Sequence, residues 1–203
     1  MWRDPLQVAD DGERASIIST AHDLVRAKGY RAASRAATAS AAEIDAQVVA
    51  RHFATDDDLL VAVLQDHQDR QWQVAADFFG RGEAETWDLL AGIGDMVSMD
   101  ERFLDAWISL VADHLDDDGP IGRYLDRRYT NVLEGIAMFF QSAIENGEIL
   151  ADTDATLEAR LLASVLDGLS LQGSLTSSPF DFGATFRHYV EGTYERLRIR
   201  PAR

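Results

Sequence analysis

The sequence predicts an all-α chain: a three-helix head with a helix-turn-helix, joined to a larger helical body, about nine helices in all. Three observations predict it. Apolar residues recur at helical intervals along most of the chain, and no segment sustains the period-two alternation of β-branched residues that marks a strand. Breaker phrases such as "GRGE", "DDDGPIG" and "ENGEILADTD" separate the periodic stretches. Two short helical segments stand about four residues apart near the N-terminus, the spacing of a helix-turn-helix.

From Gly12 to Lys28, Ile17, Ile18, Ala21, Leu24 and Val25 share one helical face, and Gly29 is a C-terminal stop. Ser34 is placed to cap a second helix over residues 35–41. Ile44 and Asp45 open a third, with Asp45 capping free amides and Val48, Val49 and Phe53 turning inward. Thr55 and Asp58 form a capping-box-like start to a long helix ending near Phe79. The remaining helices are predicted near 84–97, 100–115, 120–146, 154–174 and 182–198, with further breaks at "GIGDMVSMD" and "GSLTSSPFDF". No internal repeat or low-complexity tract is present.

Composition narrows the function. With 203 residues, 46% of them hydrophobic, the chain can bury one good core or a small domain joined to a larger one. No run approaches the ~18 uncharged apolar residues that cross a bilayer, and "MWRDPLQVADDGER" has no apolar signal core, so a cytoplasmic protein is expected. The absence of cysteine excludes disulfides, thiolate metal sites and a thiol nucleophile. No nucleophile motif, Gly-rich phosphate loop or paired-carboxylate spacing argues for an enzyme or a cofactor. The five histidines are scattered, and "ADHLDDDG", with Asp113, His114 and Asp116 to Asp118, reads as a solvated acidic loop rather than a metal site. Net charge is -16: residues 1–65 hold 7 Lys+Arg against 10 Asp+Glu, and residues 66–203 hold 12 against 25. The N-terminal part is the less hostile to a polyanion, without being basic.

The phrases "IISTAHDLVRAKGY" and "AAEIDAQVVARHFATDDDLLVAVL", with His52-Phe53 at its spacing from Gly29, resemble the TetR family of bacterial transcriptional regulators. "FFQSAIENGEILADTDATLEARLLASVLDGLSLQGSL" is similar to the C-terminal half of the subgroup that includes choline-responsive repressors. The resemblance implies a DNA-binding head over residues 1–56 and a ligand-binding and dimerisation body over 57–203, in a homodimer built on the last two helices. It also implies recognition helices in successive major grooves with half-sites about 10 bp apart, and release from DNA when an inducer binds the body. Three positions depart from the family's pattern. Ala50 replaces a Tyr that touches the DNA backbone, Asp56 replaces a Lys that reaches a phosphate, and Glu43 replaces the turn glycine that adopts φ > 0 cheaply. All three changes should weaken phosphate-driven binding.

Ser34, Gln47, Val48, Arg51 and His52 are the DNA-facing candidates. Gln47 can pair with adenine, Arg51 with guanine or phosphate, and the Ser34 hydroxyl with phosphate. His52 reads equally well as a half-buried histidine of the head, and Asp56 to Asp58 suit the positive end of the fourth helix. In the body, Phe103, Trp107, Leu110, Val111, Met138, Phe139, Leu166 and Leu169 fall on apolar faces that line a pocket or simply fill a core, and Trp72 can touch either ligand or body. Leu162, Val165 and Leu169, among the small residues Ala163, Ser164 and Gly168, are expected with Phe186, Tyr189, Val190 and Tyr194 at a four-helix dimer seam, intrachain packing being the alternative.

The expected partners are operator DNA, a second copy of the chain and a small apolar or cationic ligand, with no membrane. Two functions remain: a ligand-released, dimeric transcriptional repressor, or a regulator-like dimeric sensor with weak or lost DNA binding.

Overall fold

A computed structural model describes residues 5–79, 86–98, 100–176 and 180–199; "GRGE" and the side chain of Trp72 lie outside the described residues. Among them are nine α-helices and one 3-10 turn, in the order α1 (Pro5–Lys28), η1 (Tyr30–Ala32), α2 (Arg35–Ala41), α3 (Ala46–His52), α4 (Asp56–Phe79), α5 (Thr86–Ser98), α6 (Glu101–Asp113), α7 (Pro120–Glu145), α8 (Ala155–Leu175) and α9 (Phe182–Leu197). No described helix is long and apolar enough to cross a membrane.

α1 begins seven residues earlier than the apolar pattern indicated, at Pro5. Proline is tolerated in a first turn because the amide it lacks would have no intrahelical partner. The helix ends where expected: Gly29 takes φ 83, and its amide donates to the Val25 carbonyl at 2.8 Å. α5 does not stop at Gly92 or Gly94 but runs on to Ser98. A Cβ at Gly94 would lie 2.8 Å from the Phe186 ring and Cβ, so this glycine admits a neighbouring helix rather than ending its own. Burial of Phe186, fully enclosed, offsets the ~1 kcal/mol that a mid-helix glycine costs.

Packing divides the chain into two units. One runs to Val74 and takes in Asp105–Tyr124; the other holds Ala75–Leu104 and the chain from Leu125 onward. Residue 56, the expected limit of the head, is the first residue of α4, and the first unit continues along that helix.

The first unit buries Ile17, Ala21 and Val25 of α1 together with Ala39, Val49, Phe53, Leu59 and Val63. Leu110 of α6 and Ile121 of α7 are also enclosed in it. His22, buried on α1, stacks on His67 of α4, with 3.2 Å between His22 Nε2 and His67 Nδ1.

The second unit packs Trp87 and Leu90 of α5, Ile136 and Phe140 of α7, Leu162 and Leu169 of α8, and Phe186 and Val190 of α9 into one core. Asp154 and Asp181 cap α8 and α9, accepting from the amides of Leu157 and Ala184 at 3.0 and 2.8 Å. The polar tie within this core's edge is Glu158, buried on α8, which accepts both Arg196 nitrogens at 2.9 and 2.7 Å. The paired carboxylate holds the Arg196 guanidinium above its ordinary pKa. Removing the partner of a buried charge leaves that charge uncompensated, although water at the half-exposed Arg196 softens the cost. Arg196→Ala is therefore expected to destabilise the chain by about 2 kcal/mol, a fall of roughly 4–8 °C in Tm by thermal melting; an unchanged melt would show that solvent replaces the guanidinium.

Candidate nucleic-acid interface

The helix-turn-helix is assembled by local hydrogen bonds that its sequence specifies. Ser34 Oγ accepts from the Ala37 amide at 3.2 Å, and Asp45 Oδ1 from the Gln47 amide at 2.7 Å, so each short helix starts on its own cap. Thr55 and Asp58 exchange bonds, amide to side chain in both directions at 3.0 Å, and start α4. Between α2 and α3 the chain turns at Glu43, the one non-glycine residue with positive φ among those described, at 56°. That conformation costs an L-residue roughly 1–2 kcal/mol.

Val49 and Phe53 fix the orientation of α3, being 0% and 2% exposed. Their burial directs the opposite side of the helix outward, where Gln47, Ala50 and Arg51 are exposed. Val48 and Ser34 are half-buried at its margin. His52 is not on this surface: its side chain is only 6% exposed, and Nε2 lies 2.8 Å from Glu13 Oε1 and 3.7 Å from Asp10 Oδ1. The helical period explains this, since His52 stands three residues beyond buried Val49 and so turns toward α1.

Three arginines of this region have carboxylate partners. Arg51 Nη2 lies 3.3 Å from Glu13 Oε1. Arg35 Nε donates to Asp56 Oδ1 at 3.1 Å, and the Arg35 amide donates to the same oxygen at 2.9 Å. Arg35 Nη1 also donates to the carbonyls of Ala54 at 2.6 Å and Phe53 at 3.3 Å, so one guanidinium joins the end of α3 to the start of α4. Arg31 and the Tyr30 hydroxyl both donate to Asp113 of α6. Desolvation, followed by the Asp113 carboxylate, raises the Tyr30 phenol above its ordinary pKa.

Within "ADHLDDDG", then, Asp113 is an ion-pair partner, and His114 Nδ1 lies 2.8 Å from the Leu110 carbonyl. Asp117 accepts from the amides of Gly119 and Gly122 at 2.8 and 3.1 Å, and these two bonds hold its carboxyl below the usual range. In the head, Asp10, Glu13 and His52 place three ligand atoms within 4.8 Å of one another, a spacing a divalent ion can span. Arg51 already shares the Glu13 oxygen and supplies positive charge there.

Glu13 and Asp10 were not among the sequence candidates. A signal was present: Glu13 precedes buried Ile17 by one turn, which puts a carboxylate on the inward face of α1.

The expected pocket residues fall in both units. Leu110 is enclosed in the first, with Trp107 and Val111 half-buried. Phe103 and Leu169 are buried in the second, and Phe139 and Leu166 pack against its core, Phe139 edge-on to Trp87 at 5.1 Å. Met138 lines no interior of this chain; it is 72% exposed. α7 buries Ile136, Phe140 and Ala143, and Met138 falls on the opposite face with exposed Glu134 and Gln141. A half-buried polar group also lies in this unit: the Tyr129 hydroxyl donates to Asp167 at 3.3 Å, and desolvation with the Asp167 charge pushes it up to about 12.

Of the residues expected at a dimer seam, Leu162, Leu169, Phe186 and Val190 belong to the second unit's core, and Val165, Tyr189 and Tyr194 pack against it. The chain's own packing accounts for all seven. The exposed face of α8 carries a different set, Leu157, Leu161, Leu171 and Leu175, at 51%, 42%, 45% and 74% exposure.

Residues 95–195 match the family model of the BetI-type transcriptional repressor C-terminal domain. Among curated proteins none matches the sequence. Many solved structures share the fold, three of which serve as examples. A Rhodococcus sp. protein assigned to the TetR family of transcriptional regulators is 20% identical with a TM-score of 0.74, the match covering 92% of this chain and 98% of the other. A protein from Saccharomonospora viridis assigned as a transcriptional regulator, solved in complex with choline, is 19% identical with a TM-score of 0.75, covering 94% and 100%. A TetR-family transcriptional regulator from Agrobacterium tumefaciens is 15% identical with a TM-score of 0.71, covering 94% and 100%.

The strained turn gives a direct check on this geometry. Glu43→Gly relieves the left-handed penalty but adds unfolded-state entropy, for a net gain of about 0.5–1 kcal/mol. A rise of roughly 1–4 °C in Tm is expected by thermal melting, and a fall would place the Glu43 backbone outside the left-handed region.

Proposed function

Because the chain belongs to the TetR family of bacterial transcriptional regulators, we propose that it is a repressor that binds operator DNA as a homodimer and is released by a small molecule. Residues 1–56 are the DNA-binding head and 57–203 the ligand-binding and dimerisation body. The observation that carries this reading is the exposed side of α3, where Gln47 and Arg51 project from a helix whose other side is locked into the core by Val49 and Phe53. Gln47 is suited to adenine, and Arg51 to guanine or phosphate.

The repressor role is supported by the description of the matched family model, and a small cationic or neutral ligand by the choline bound to the Saccharomonospora protein. The acidity of residues 66–203, 25 Asp+Glu against 12 Lys+Arg, favours a cation over an anion in that body. For the homodimer, the supporting feature is the leucine stripe on α8. Ser164 and Gly168 lie between its leucines at the same spacing, and a Cβ at Gly168 would meet nothing within 4 Å. Small residues flanked by leucines allow a partner helix to approach closely.

A second reading, a dimeric sensor with weak DNA binding, is favoured by the pairing of Arg31, Arg35 and Arg51 with carboxylates of the same chain. Titration of the purified protein on DNA flanking its own gene, with a random-sequence control, separates the two. The repressor reading requires specific binding that persists near physiological salt, and Arg51→Ala should weaken it about 10-fold. No binding at low salt by a folded dimer would leave the sensor reading. For the dimer itself, Leu161→Glu puts a charge within the stripe and is expected to shift the protein to monomers in sedimentation velocity; an unchanged sedimentation coefficient would move the seam elsewhere.

A further inference from the structure

We propose that Glu13 is an internal brake on DNA binding, its carboxylate occupying at Arg51 the place that a backbone phosphate would take. The inference deepens the reading of residues 1–56 as a DNA-binding head and rests on it.

The three paired arginines near the helix-turn-helix are not equivalent. Arg35 is a structural clamp, bonded to the carbonyls of Phe53 and Ala54 as well as to Asp56, so DNA cannot take it without opening the turn. Arg31 shares Asp113 with the Tyr30 hydroxyl. Arg51 differs: it stands on the exposed side of α3, its side chain is 68% exposed, and Glu13, itself 41% exposed, meets it at the solvent edge. A pair so exposed contributes little to folding and is cheap to break.

Carboxylate and phosphate satisfy a guanidinium through the same charge-assisted bonds, so an incoming phosphate competes directly with Glu13. Displacement does not remove the competitor. Glu13 remains tethered to α3 by its hold on His52, at 2.8 Å, and its charge stays beside the incoming phosphate. Asp10, 3.7 Å from the same His52 nitrogen, adds to that repulsion. The His52 side chain, almost fully enclosed, thus anchors the brake without touching DNA. A neutral group of the same shape would keep the anchor, because a Gln side-chain oxygen can accept from His52 Nε2, and would release Arg51.

The test uses the full chain and its Glu13→Gln variant, titrated on duplexes of the gene-flanking and random sequences between about 50 and 200 mM salt. One like charge removed from beside a phosphate, with its competition for Arg51, is expected to tighten binding to both duplexes about 3–10-fold. If Arg51 then takes up a phosphate, the slope of log K against log salt steepens by about 0.9. In an Arg51→Ala background the same change should leave the slope where it was.

Equal affinity and slope for Glu13→Gln and wild type, with wild type binding DNA, would overturn the brake and leave the DNA-binding head intact. A gain that persists in full in the Arg51→Ala background would overturn it too, marking a general loss of acidity. Absence of binding by both proteins at the lowest salt would defeat the DNA-binding reading and the brake with it, whereas binding by Glu13→Gln alone would support both. Should Glu13→Gln lose its helical circular dichroism, Glu13→Asp keeps the charge but draws it one methylene back from Arg51; a smaller gain in affinity is expected from it, and none would count against the brake.

Discussion

The guanidinium of Arg35 is the interaction on which the head depends. A seven-residue helix such as α3 is far below the ~12–15 residues at which an isolated helix becomes even marginally stable. It must be held by its neighbours at both ends and along one side. Asp45 holds the start and the buried pair Val49 and Phe53 the side. The end is the difficult part, because the chain leaves α3 through Phe53 at φ -135 and begins α4 only at Asp56. Arg35 reaches across from the start of α2 and serves two carbonyls of that link and the first carboxylate of α4 together. Only a rigid fork of several donors can do this; the point charge of a lysine could not serve all three acceptors in fixed geometry.

This arrangement gives Asp56 a reason to be where the family carries a phosphate-binding Lys. Its Oδ1 accepts from the backbone amide as well as the side chain of Arg35, so it satisfies one of the orphan donors at the start of α2 while neutralising the clamp. Asp45 and Asp58 are engaged in caps of their own. The acidity of the turn is thus partly structural, Asp45, Asp56 and Asp58 each accepting a backbone amide near a helix start. The consequence for function is a competition between capping and phosphate binding for the same few positions. Here capping has taken them, and Arg31, Arg35 and Arg51 are matched by acids of the same chain before any DNA arrives.

Much of the head was legible because its signals are local. Ser34, Asp45, Gly29 and the Thr55/Asp58 pair each act within four residues of themselves, and helix and cap positions follow from such signals directly. Pairings such as Glu13 with Arg51 and His52, or Arg31 with Asp113, join residues 38 or more positions apart, and only the packed fold brings them together. The early start of α1 escaped detection because residues before Gly12 carry no apolar period. Met138 was misplaced by its chemistry, an apolar residue set on the solvated side of α7.

α8 shows most plainly why a face cannot be assigned from hydrophobicity alone. Leu162 and Leu169 point into the second unit's core, while Leu157, Leu161, Leu171 and Leu175 run along the exposed face, in a seven-residue repeat that Ser164 and Gly168 complete. With leucine on both sides, periodicity identifies two stripes and cannot say which of them the chain's own fold will cover. The structure answers for one stripe: α9 and α7 contribute Phe186, Val190 and Phe140 to its cover. The other is left in water, interrupted by Ser164 and Gly168, and an exposed apolar stripe of this kind is the sort of surface that a partner can cover. The leucines that the fold leaves outside, with Ser164 and Gly168 between them, are thus a different set from those that complete its core. An interface centred there leaves the core of each chain intact whether or not a partner is bound, so the dimer would add stability to a unit that already packs by itself.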